Sequence, residues 1–207
     1  MRIAFLHGWG GDRTLWSQLI PQLAGFDTVA DDRGYFGRPA AVDHADVVVT
    51  HSFGTMRALA APPAGTRAMI AINGFDCFTA RPGFPAGIAP RVLERMVSRF
   101  AVDHGATLAE FRKRCGALPQ QEPIDPAPLA ADLARLRTED HRAGWSGPLL
   151  VIHGARDPIV PPKLQAATFA DRPDARRVVL AQHGHLAPLT AALSCAAAIR
   201  QFIAGLD

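Results

Sequence analysis

The sequence predicts an α/β fold: a mostly parallel sheet of about six strands, with a helical cap inserted between the fourth and fifth strands. Short apolar segments alternate with stretches of helical periodicity, a pattern typical of βαβ units. The 207 residues are 48% hydrophobic and 20% charged, as expected for one domain with a sizeable core. Between residues 75 and 145 helical segments follow one another without a strand. We therefore assign residues 1–74 and 146–207 to the α/β core and residues 75–145 to the cap.

Each predicted strand is a short apolar segment that leads into glycine or polar residues. The strands cover residues 2–6, 28–30, 45–50, 67–72, 148–153 and 177–180. Because a helical segment or a longer connection separates each strand from the next, the strands are expected to run parallel.

The helices are predicted from apolar residues at helical spacing and from residues that cap or end a helix. Asp12 can cap a first helix, which Gly25 would end. The other predicted helices cover residues 56–61, 92–100, 108–115, 129–137 and 190–204. In open α/β sheets ligands bind at the C-terminal edge of the strands. A cap over that edge is therefore expected to take part in substrate selection.

Charge and cysteine content argue against several classes of protein. The net charge is +3, and no dense Lys/Arg tract with interleaved aromatic residues suggests nucleic-acid binding. The three cysteines, Cys77, Cys115 and Cys195, are far apart, which indicates free thiols and neither a disulfide framework nor a zinc site. No segment approaches the roughly 18 apolar residues that span a bilayer, and the N-terminal apolar segment is too short for a signal peptide. We expect a cytoplasmic protein without a membrane partner, cofactor or metal.

A candidate nucleophile lies at Ser52. Three valines, Val47 to Val49, precede it, and Gly54 and a helical segment follow. This strand–turn–helix pattern is typical of the G-x-S-x-G nucleophile elbow, which exposes a serine hydroxyl above the sheet. Thr50 stands where the first glycine of the motif would be. An ordinary βα turn therefore remains an alternative.

Asp157 and His185 each follow a later predicted strand. A serine hydroxyl becomes a nucleophile when a base takes its proton, and the base needs an acid to fix its tautomer. The chain order Ser52, Asp157, His185 is the order expected after such an elbow. Because the C-terminal ends of parallel strands meet at one edge, we predict a catalytic triad of these three residues. His183 is an alternative base, and Asp76 is an alternative acid.

Acyl transfer also needs N–H donors that stabilise the oxyanion. Phe53, the residue after the serine, can supply one donor, and Trp9, in the glycine-rich loop after the first strand, can supply the other. That loop could instead bind phosphate, but it lacks the G-x-G-x-x-G spacing and a P-loop lysine. We expect His51 to point away from the site, because adjacent side chains diverge at an elbow.

Several segments of the sequence resemble known motifs and follow one another in the order of a known superfamily. They are His7-Gly8-Trp9-Gly10, residues 32–37, the elbow, Gly154 with Asp157, and Gly184-His185. On these segments the chain resembles the α/β-hydrolases. It is most similar to the pimeloyl-[acyl-carrier protein] methyl ester esterases of biotin synthesis, whose lid segments residues 87–90 and 108–115 also resemble.

The resemblance implies that Ser52, Asp157 and His185 form the triad and that Trp9 and Phe53 donate to the oxyanion. It also implies that the cap contributes a lining to the acyl channel. The residues implied for that lining are Phe111, Arg112, Lys113, Arg114 and Cys115.

Three cap arginines, Arg91, Arg95 and Arg99, recur at four-residue spacing and would share one helix face. Such a face is either a solvated basic surface or a docking site for an acidic partner. Acyl carrier proteins are acidic, which makes a carrier protein the candidate partner.

The main functional hypothesis is a serine carboxylesterase that hydrolyses the methyl ester of pimeloyl-acyl carrier protein. A second hypothesis is a thioesterase or small-ester hydrolase unrelated to biotin. A third is a non-catalytic ligand-binding protein that has kept the fold, which the threonine at position 50 motivates.

Overall fold

A computed structural model describes residues 1–206 and contains a six-stranded sheet whose neighbouring strands all pair in parallel. The strands are β1 (Arg2–Leu6), β2 (Asp27–Ala30), β3 (Val47–His51), β4 (Ala68–Ile72), β5 (Leu149–Gly154) and β6 (Arg176–Leu180). Their order across the sheet is β2-β1-β3-β4-β5-β6. The predicted parallel sheet is confirmed, and every strand boundary lies within about two residues of its predicted position.

The α-helices of residues 1–206 lie between and after these strands. They are α1 (Phe53–Ala60), α2 (Pro90–Val102), α3 (His104–Cys115), α4 (Pro126–Thr138), α5 (Pro162–Ala167), α6 (Ala187–Thr190) and α7 (Ala192–Ile203). Of the helices in the described part of the chain, none combines the length and the apolar character needed to traverse a lipid bilayer.

The inner strands of the sheet are buried because both faces of the sheet are covered. On one face, Trp16 and two side chains of α7, Ile199 and Phe202, pack against β1, β3 and β5. On the other face, Ala58 and Leu59 of α1 pack against the same strands. All five residues of β3 are buried, as are all five of β4, which is the pattern expected of parallel strands between helical layers.

The first predicted helix forms differently from expectation. In place of one helix there are two short 3-10 helices, Arg13–Trp16 and Ile20–Leu23. Asp12 does cap the first of them, since its side chain accepts a hydrogen bond from the amide of Thr14. Pro21 explains the interruption, because proline lacks the N–H of a continuous helix and disfavours helical geometry in the preceding residue.

The C-terminal helix is also divided. The predicted segment 190–204 is split at Ala191, which has φ −132° and ψ 32°, so that α6 ends before it and α7 begins after it. The short helix α5 was not predicted; it begins at Pro162, directly after a second proline.

Between β4 and β5 the chain forms α2, α3 and α4, and no strand is described there. Helix α2 packs against both α3 and α4. The indole Nε1 of Trp9, in the loop after β1, donates to Leu129 O of α4 at 2.8 Å. The three predicted cap helices are therefore present, and α4 is tied to the sheet. The division into core and cap at residues 75 and 145 stays a prediction.

A buried polar network also ties α4 to the loop after β2. Both carboxylate oxygens of Asp132 accept hydrogen bonds from the Arg33 guanidinium at 2.8 Å. Tyr35 donates its hydroxyl to Asp132 Oδ2 at 2.6 Å. Asp132 and Tyr35 are fully buried. Burial and the neighbouring carboxylate raise the pKa of Tyr35 well above its ordinary value, which keeps its hydroxyl a donor.

Candidate active site

Ser52 lies at the turn between β3 and α1 in a strained backbone conformation. Its φ of 53° and ψ of −127° fall in a sparsely populated region that costs a non-glycine residue on the order of 1–3 kcal/mol. Gly54 makes the turn possible, because a Cβ atom at that position would collide with Leu6 O. A Cβ atom on Gly8 would lie 2.8 Å from Ser52 Cβ. Close approach of the β1 loop to Ser52 therefore depends on a second glycine.

Thr50, which replaces the first glycine of the motif, fits its position in β3. It is fully buried and pairs with Ala71 of β4. Its Oγ1 lies 2.7 Å from Thr55 Oγ1 and donates to Ile70 O at 3.2 Å. These hydrogen bonds satisfy the hydroxyl in the core. The elbow therefore forms without a glycine at position 50.

Asp157 and His185 form a buried hydrogen-bonded pair at the C-terminal edge of the sheet. His185 Nδ1 lies 2.7 Å from Asp157 Oδ2, and Asp157 Oδ1 accepts from the amides of Ile159 at 2.7 Å and Val160 at 3.0 Å. Burial alone raises the pKa of Asp157, but hydrogen bonding and charge from His185, with the two amides, outweigh burial and lower it. An ionised Asp157 holds the proton of His185 on Nδ1 and leaves Nε2 able to accept one.

The loop that carries His185 is held by a side chain that the sequence analysis missed. Asn73 Nδ2 donates to the carbonyl oxygens of Gly184 at 2.7 Å and His185 at 2.8 Å. Asn73 Oδ1 accepts from the amide of Gly154 at 2.8 Å. One buried side chain thus joins the ends of β4, β5 and β6. The signal in the sequence was an Asn-Gly pair directly after a strand, because Asn tolerates the positive φ of 49° found here.

His51 differs from expectation. It was predicted to point away from the site, but its Nε2 donates to His185 O at 2.8 Å, and the two rings lie 4.7 Å apart between centroids. The reason is that the His185 loop folds back over the end of β3. Burial, followed by the nearby His185, lowers the pKa of His51 to about 3, so the ring is neutral at pH 7.

The alternative base and acid make other contacts. His183 Nδ1 lies 3.2 Å from Thr190 Oγ1. Asp76 is buried, and its Oδ2 accepts from the amide of Phe169 at 2.9 Å. Neither side chain is hydrogen-bonded to Ser52 or to His185 among residues 1–206. Burial raises the pKa of Asp76, opposite to the direction found for Asp157.

The two predicted oxyanion donors lie on either side of the elbow. Phe53 is the first residue of α1, where amide N–H groups have no partner within the helix. Trp9 follows Gly8, whose backbone approaches Ser52. Among the residues that the structure describes, neither the Phe53 amide nor the Trp9 amide donates a hydrogen bond to another protein group. Both N–H groups are therefore available.

Two cavities meet at the site, and they divide its residues between them. The Ser52 cavity, about 370 Å³, is lined by Ser52 and mostly by apolar side chains. Those side chains include Phe75, Phe78, Ile88, Leu93, Met96, Leu136 and Ile159. The His185 cavity, about 320 Å³, is lined by His185 and His51. Trp9 and Phe111 line both cavities, and their rings pack edge to face at a centroid distance of 4.9 Å.

In the described part of the chain, His185 forms no hydrogen bond with Ser52 Oγ; its contacts are those to Asp157, His51 and Asn73. Catalytic hydrogen bonds are often long before substrate binds. With a fixed backbone, only rotation about χ1 changes the position of Ser52 Oγ.

Within residues 1–206, no group of three or more His, Cys, Asp and Glu side chains is arranged to hold a metal ion.

No family model matches the sequence. The pimeloyl-[acyl-carrier protein] methyl ester esterase of Aromatoleum aromaticum is 30% identical over an alignment of 247 positions, which covers 98% of this chain and 98% of that protein. The chain belongs to this esterase family. The pimeloyl-[acyl-carrier protein] methyl ester esterase of Neisseria meningitidis serogroup B is 26% identical over an alignment of 247 positions, which covers 99% of this chain and 93% of that protein.

The fold of this esterase is shared with solved structures. The esterase EaEST from Exiguobacterium antarcticum superposes with a TM-score of 0.83 at 16% sequence identity, covering 99% of this chain and 92% of that one. The chain therefore has the α/β-hydrolase fold, and the predicted superfamily is confirmed. With its esterase relatives, this makes it a carboxylic ester hydrolase.

The esterase places the five residues expected to line its acyl channel in different environments. Phe111 lines both cavities, Arg114 lines the Ser52 cavity, and Arg112 and Cys115 line the His185 cavity. Lys113 is exposed and lines neither cavity. The reason is helical geometry, since five consecutive residues of α3 point around the helix and cannot all face one channel.

The three arginines of α2 are all exposed on the esterase surface. Arg99 Nη2 pairs with Glu110 Oε2 of α3 at 2.5 Å. Three arginines, Arg95, Arg99 and Arg114, line a groove between α2 and α3, and Glu110 is the one acidic residue in its lining. Val92, Met96, Phe111 and Arg114 line both this groove and the Ser52 cavity. The basic groove is therefore continuous with the rim of the site.

Proposed function

We propose that this esterase uses Ser52 as its nucleophile, with His185 as the base and Asp157 as the acid that orients it. The observation that carries the proposal is the buried Asp157–His185 hydrogen bond of 2.7 Å, held beside the strained elbow by Asn73 and His51. Strained backbone is commonly found at functional sites, and a buried ion-pairing carboxylate next to a histidine is the arrangement of a catalytic triad.

In the proposed reaction, Ser52 Oγ attacks the ester carbonyl carbon as its proton passes to His185 Nε2. The amide N–H groups of Trp9 and Phe53 donate to the oxyanion, and each such donor lowers the barrier by about 3 kcal/mol. His185 then protonates the alcohol oxygen as the carbon–oxygen bond breaks, leaving an acyl-enzyme. A water molecule, deprotonated by His185, attacks the acyl-enzyme and releases the acid, which restores Ser52.

The proposed substrate is the methyl ester of pimeloyl-acyl carrier protein, a reaction of biotin synthesis. The names of the two relatives described above support it. The apolar lining of the Ser52 cavity suits the methylene chain of a pimeloyl group. Charged side chains occur at the rim, where Arg114 and Lys163 line the same cavity.

An acidic carrier protein is proposed to dock on the basic groove and on Arg91 beside it. Arg95 and Arg99 border the groove, which leads to the Ser52 cavity. Opposite charges at such a surface accelerate encounter, and the acceleration weakens as salt screens the charges. Docking here would bring the carrier-bound acyl chain to the mouth of the cavity.

One experiment tests both the reaction and the substrate. Hydrolysis of methyl pimeloyl-carrier protein and of a short nitrophenyl ester is measured for wild type, Ser52→Ala, the double variant Arg91→Glu/Arg95→Glu, and Arg137→Glu. Ser52→Ala is expected to lower kcat by about 10⁴-fold or more on both substrates. The double variant is expected to lower kcat/KM by about tenfold on the carrier substrate alone. Arg137 is an exposed arginine of α4 outside the groove, and its variant is the matched control.

Each outcome bears on a separate part of the proposal. Full activity of Ser52→Ala would remove the triad. Activity on the nitrophenyl ester alone would remove the carrier substrate and leave a small-ester hydrolase. Arg137→Glu changes the net charge by half as much as the double variant, so a loss of about threefold in Arg137→Glu beside about tenfold in the double variant would show that net charge, and not the groove, governs encounter.

A further inference from the structure

The His185 cavity is larger than a methyl ester requires. The alcohol released from a methyl ester is methanol, which is little larger than water. The cavity measures about 320 Å³, whereas an apolar cavity of about 150 Å³ is enough to hold benzene. The site therefore has room for a group well beyond methanol on the side of His185.

The chemistry of the triad determines which half of an ester lies in which cavity. In the reaction proposed above, the acyl carbon bonds to Ser52 Oγ and the alcohol oxygen takes a proton from His185. Ser52 lines one cavity and His185 lines the other. The acyl chain thus belongs beside Ser52, and the departing alcohol belongs beside His185.

We propose that the His185 cavity binds the alcohol half of the substrate and accepts large apolar or aromatic alcohols, such as benzyl alcohol. The proposal rests on the function proposed above. It extends the substrate class from methyl esters to esters of bulky uncharged alcohols.

The two charged side chains of the cavity, Asp12 and Arg112, already form hydrogen bonds within the protein, which favours an uncharged ligand. Arg112 Nη1 donates to Gly10 O at 2.7 Å, and its Nε and Nη2 donate to Leu118 O at 3.2 and 3.1 Å. Asp12 Oδ1 accepts from the amide of Thr14 at 2.7 Å. The remaining lining is largely apolar. It includes Leu15, Ala117, Leu118, Leu186 and Leu189.

Trp9 and Phe111 form the wall between the two cavities. Trp9 and Phe111 meet edge to face at an interplanar angle of 83°, and Trp9 is anchored through its hydrogen bond to Leu129 O. Gly10 allows the loop to pass beneath α3, because its φ is +68° and a Cβ atom there would lie 2.8 Å from Leu108 Cδ1. The two cavities therefore share this wall, but other residues line only one of them, so each cavity can be altered separately.

The test uses four substrates, the methyl and benzyl esters of acetic and hexanoic acids, with acid release followed at constant pH. Ala117 lines only the His185 cavity and Ala86 lines only the Ser52 cavity, and both are half-buried. Ala117→Trp is expected to lower the benzyl-to-methyl ratio of kcat/KM about tenfold, because a filled pocket excludes the larger alcohol. Ala86→Trp is the matched control and is expected to lower the hexanoate-to-acetate ratio about tenfold instead. In wild type, benzyl hexanoate is expected to have a KM about tenfold below that of methyl hexanoate.

Leu118→Trp provides a second filling variant at a position that is 82% exposed, where folding does not depend on the side chain. If both filling variants left the benzyl-to-methyl ratio unchanged while wild type hydrolysed methyl hexanoate, this inference would fail and the proposed esterase reaction would stand. If Ala117→Trp altered the hexanoate-to-acetate ratio instead, the assignment of the two cavities would be reversed and thus wrong. If wild type hydrolysed none of the four esters, the proposed reaction and this inference would both fail.

Discussion

Asn73 connects three strand ends with a single amide. Its Nδ2 holds the carbonyl oxygens of Gly184 and His185, and its Oδ1 holds the Gly154 amide. Within residues 1–206 its side chain forms no hydrogen bond with the proposed nucleophile, so its effect on the reaction is expected to act through the position of His185. A residue that positions a base affects the chemical step more than substrate binding.

Asn73→Ala is therefore expected to lower kcat by about 10- to 100-fold with little change in KM. It is also expected to lower the free energy of unfolding by about 1–3 kcal/mol, because buried hydrogen-bonding groups lose their partner. Steady-state kinetics and urea denaturation measure the two effects. Asn73→Asp keeps the acceptor for Gly154 and loses the donors to His185, so it separates the two contacts. A rise in KM at unchanged kcat would contradict the positioning role.

At the level of secondary-structure elements, α4 is attached to the sheet by polar contacts as well as by packing. Asp132 accepts two hydrogen bonds from Arg33 and a third from Tyr35. The carboxylate is fully buried, whereas the Arg33 side chain is 31% exposed. Removing one partner of such a network leaves the others buried and unpaired, which costs more than the network itself contributes.

Asp132→Ala is expected to destabilise the protein by about 3 kcal/mol or more, measured by chemical denaturation. The matched control is Glu110→Ala, which removes the exposed pair between α2 and α3 and is expected to have a much smaller effect. An equal effect of the two variants would show that the buried network does not hold α4.

For the molecule as a whole, two buried histidines should make the fold sensitive to acid. Burial lowers the pKa of His51 to about 3 and that of His153 to about 4, both below the ordinary value of 6.5. Neither ring nitrogen of His153 has a hydrogen-bond partner in the described part of the chain. In the unfolded chain both histidines bind a proton below about pH 6.5. The stability that depends on the two neutral histidines is therefore fully present above that pH. It is lost progressively as the pH falls toward 4, because only the unfolded chain then binds the protons.

His153→Leu is expected to reduce this loss. Each buried histidine contributes a slope of about 1.4 kcal/mol per pH unit between its two pKa values, so unfolding free energies measured at pH 7, 6 and 5 should decline less steeply in the variant. The control is His44→Gln, which replaces an exposed histidine. Identical slopes in wild type and His153→Leu would show that His153 does not titrate on unfolding.

The sequence predicts the sheet of this molecule better than its site. Strands are marked by local apolar segments, so the sheet could be inferred from the order of residues alone. The same order places the triad candidates after strands whose ends must meet, and the triad itself stays a prediction. The break at Ala191 and the folding back of the His185 loop onto His51 depend on contacts between distant segments, which local pattern does not encode. Asn73 was missed for the same reason, since its partners lie 81 to 112 residues away.

The wall of Trp9 and Phe111 that separates the two cavities joins the loop after β1 to α3. Trp9 is anchored to α4, whereas Phe111 belongs to α3. Lifting α3 would merge the two compartments into one vestibule. The acyl and alcohol halves of an ester, proposed to occupy separate cavities, would then share one space. Selectivity for each half would fall until α3 returned to its position.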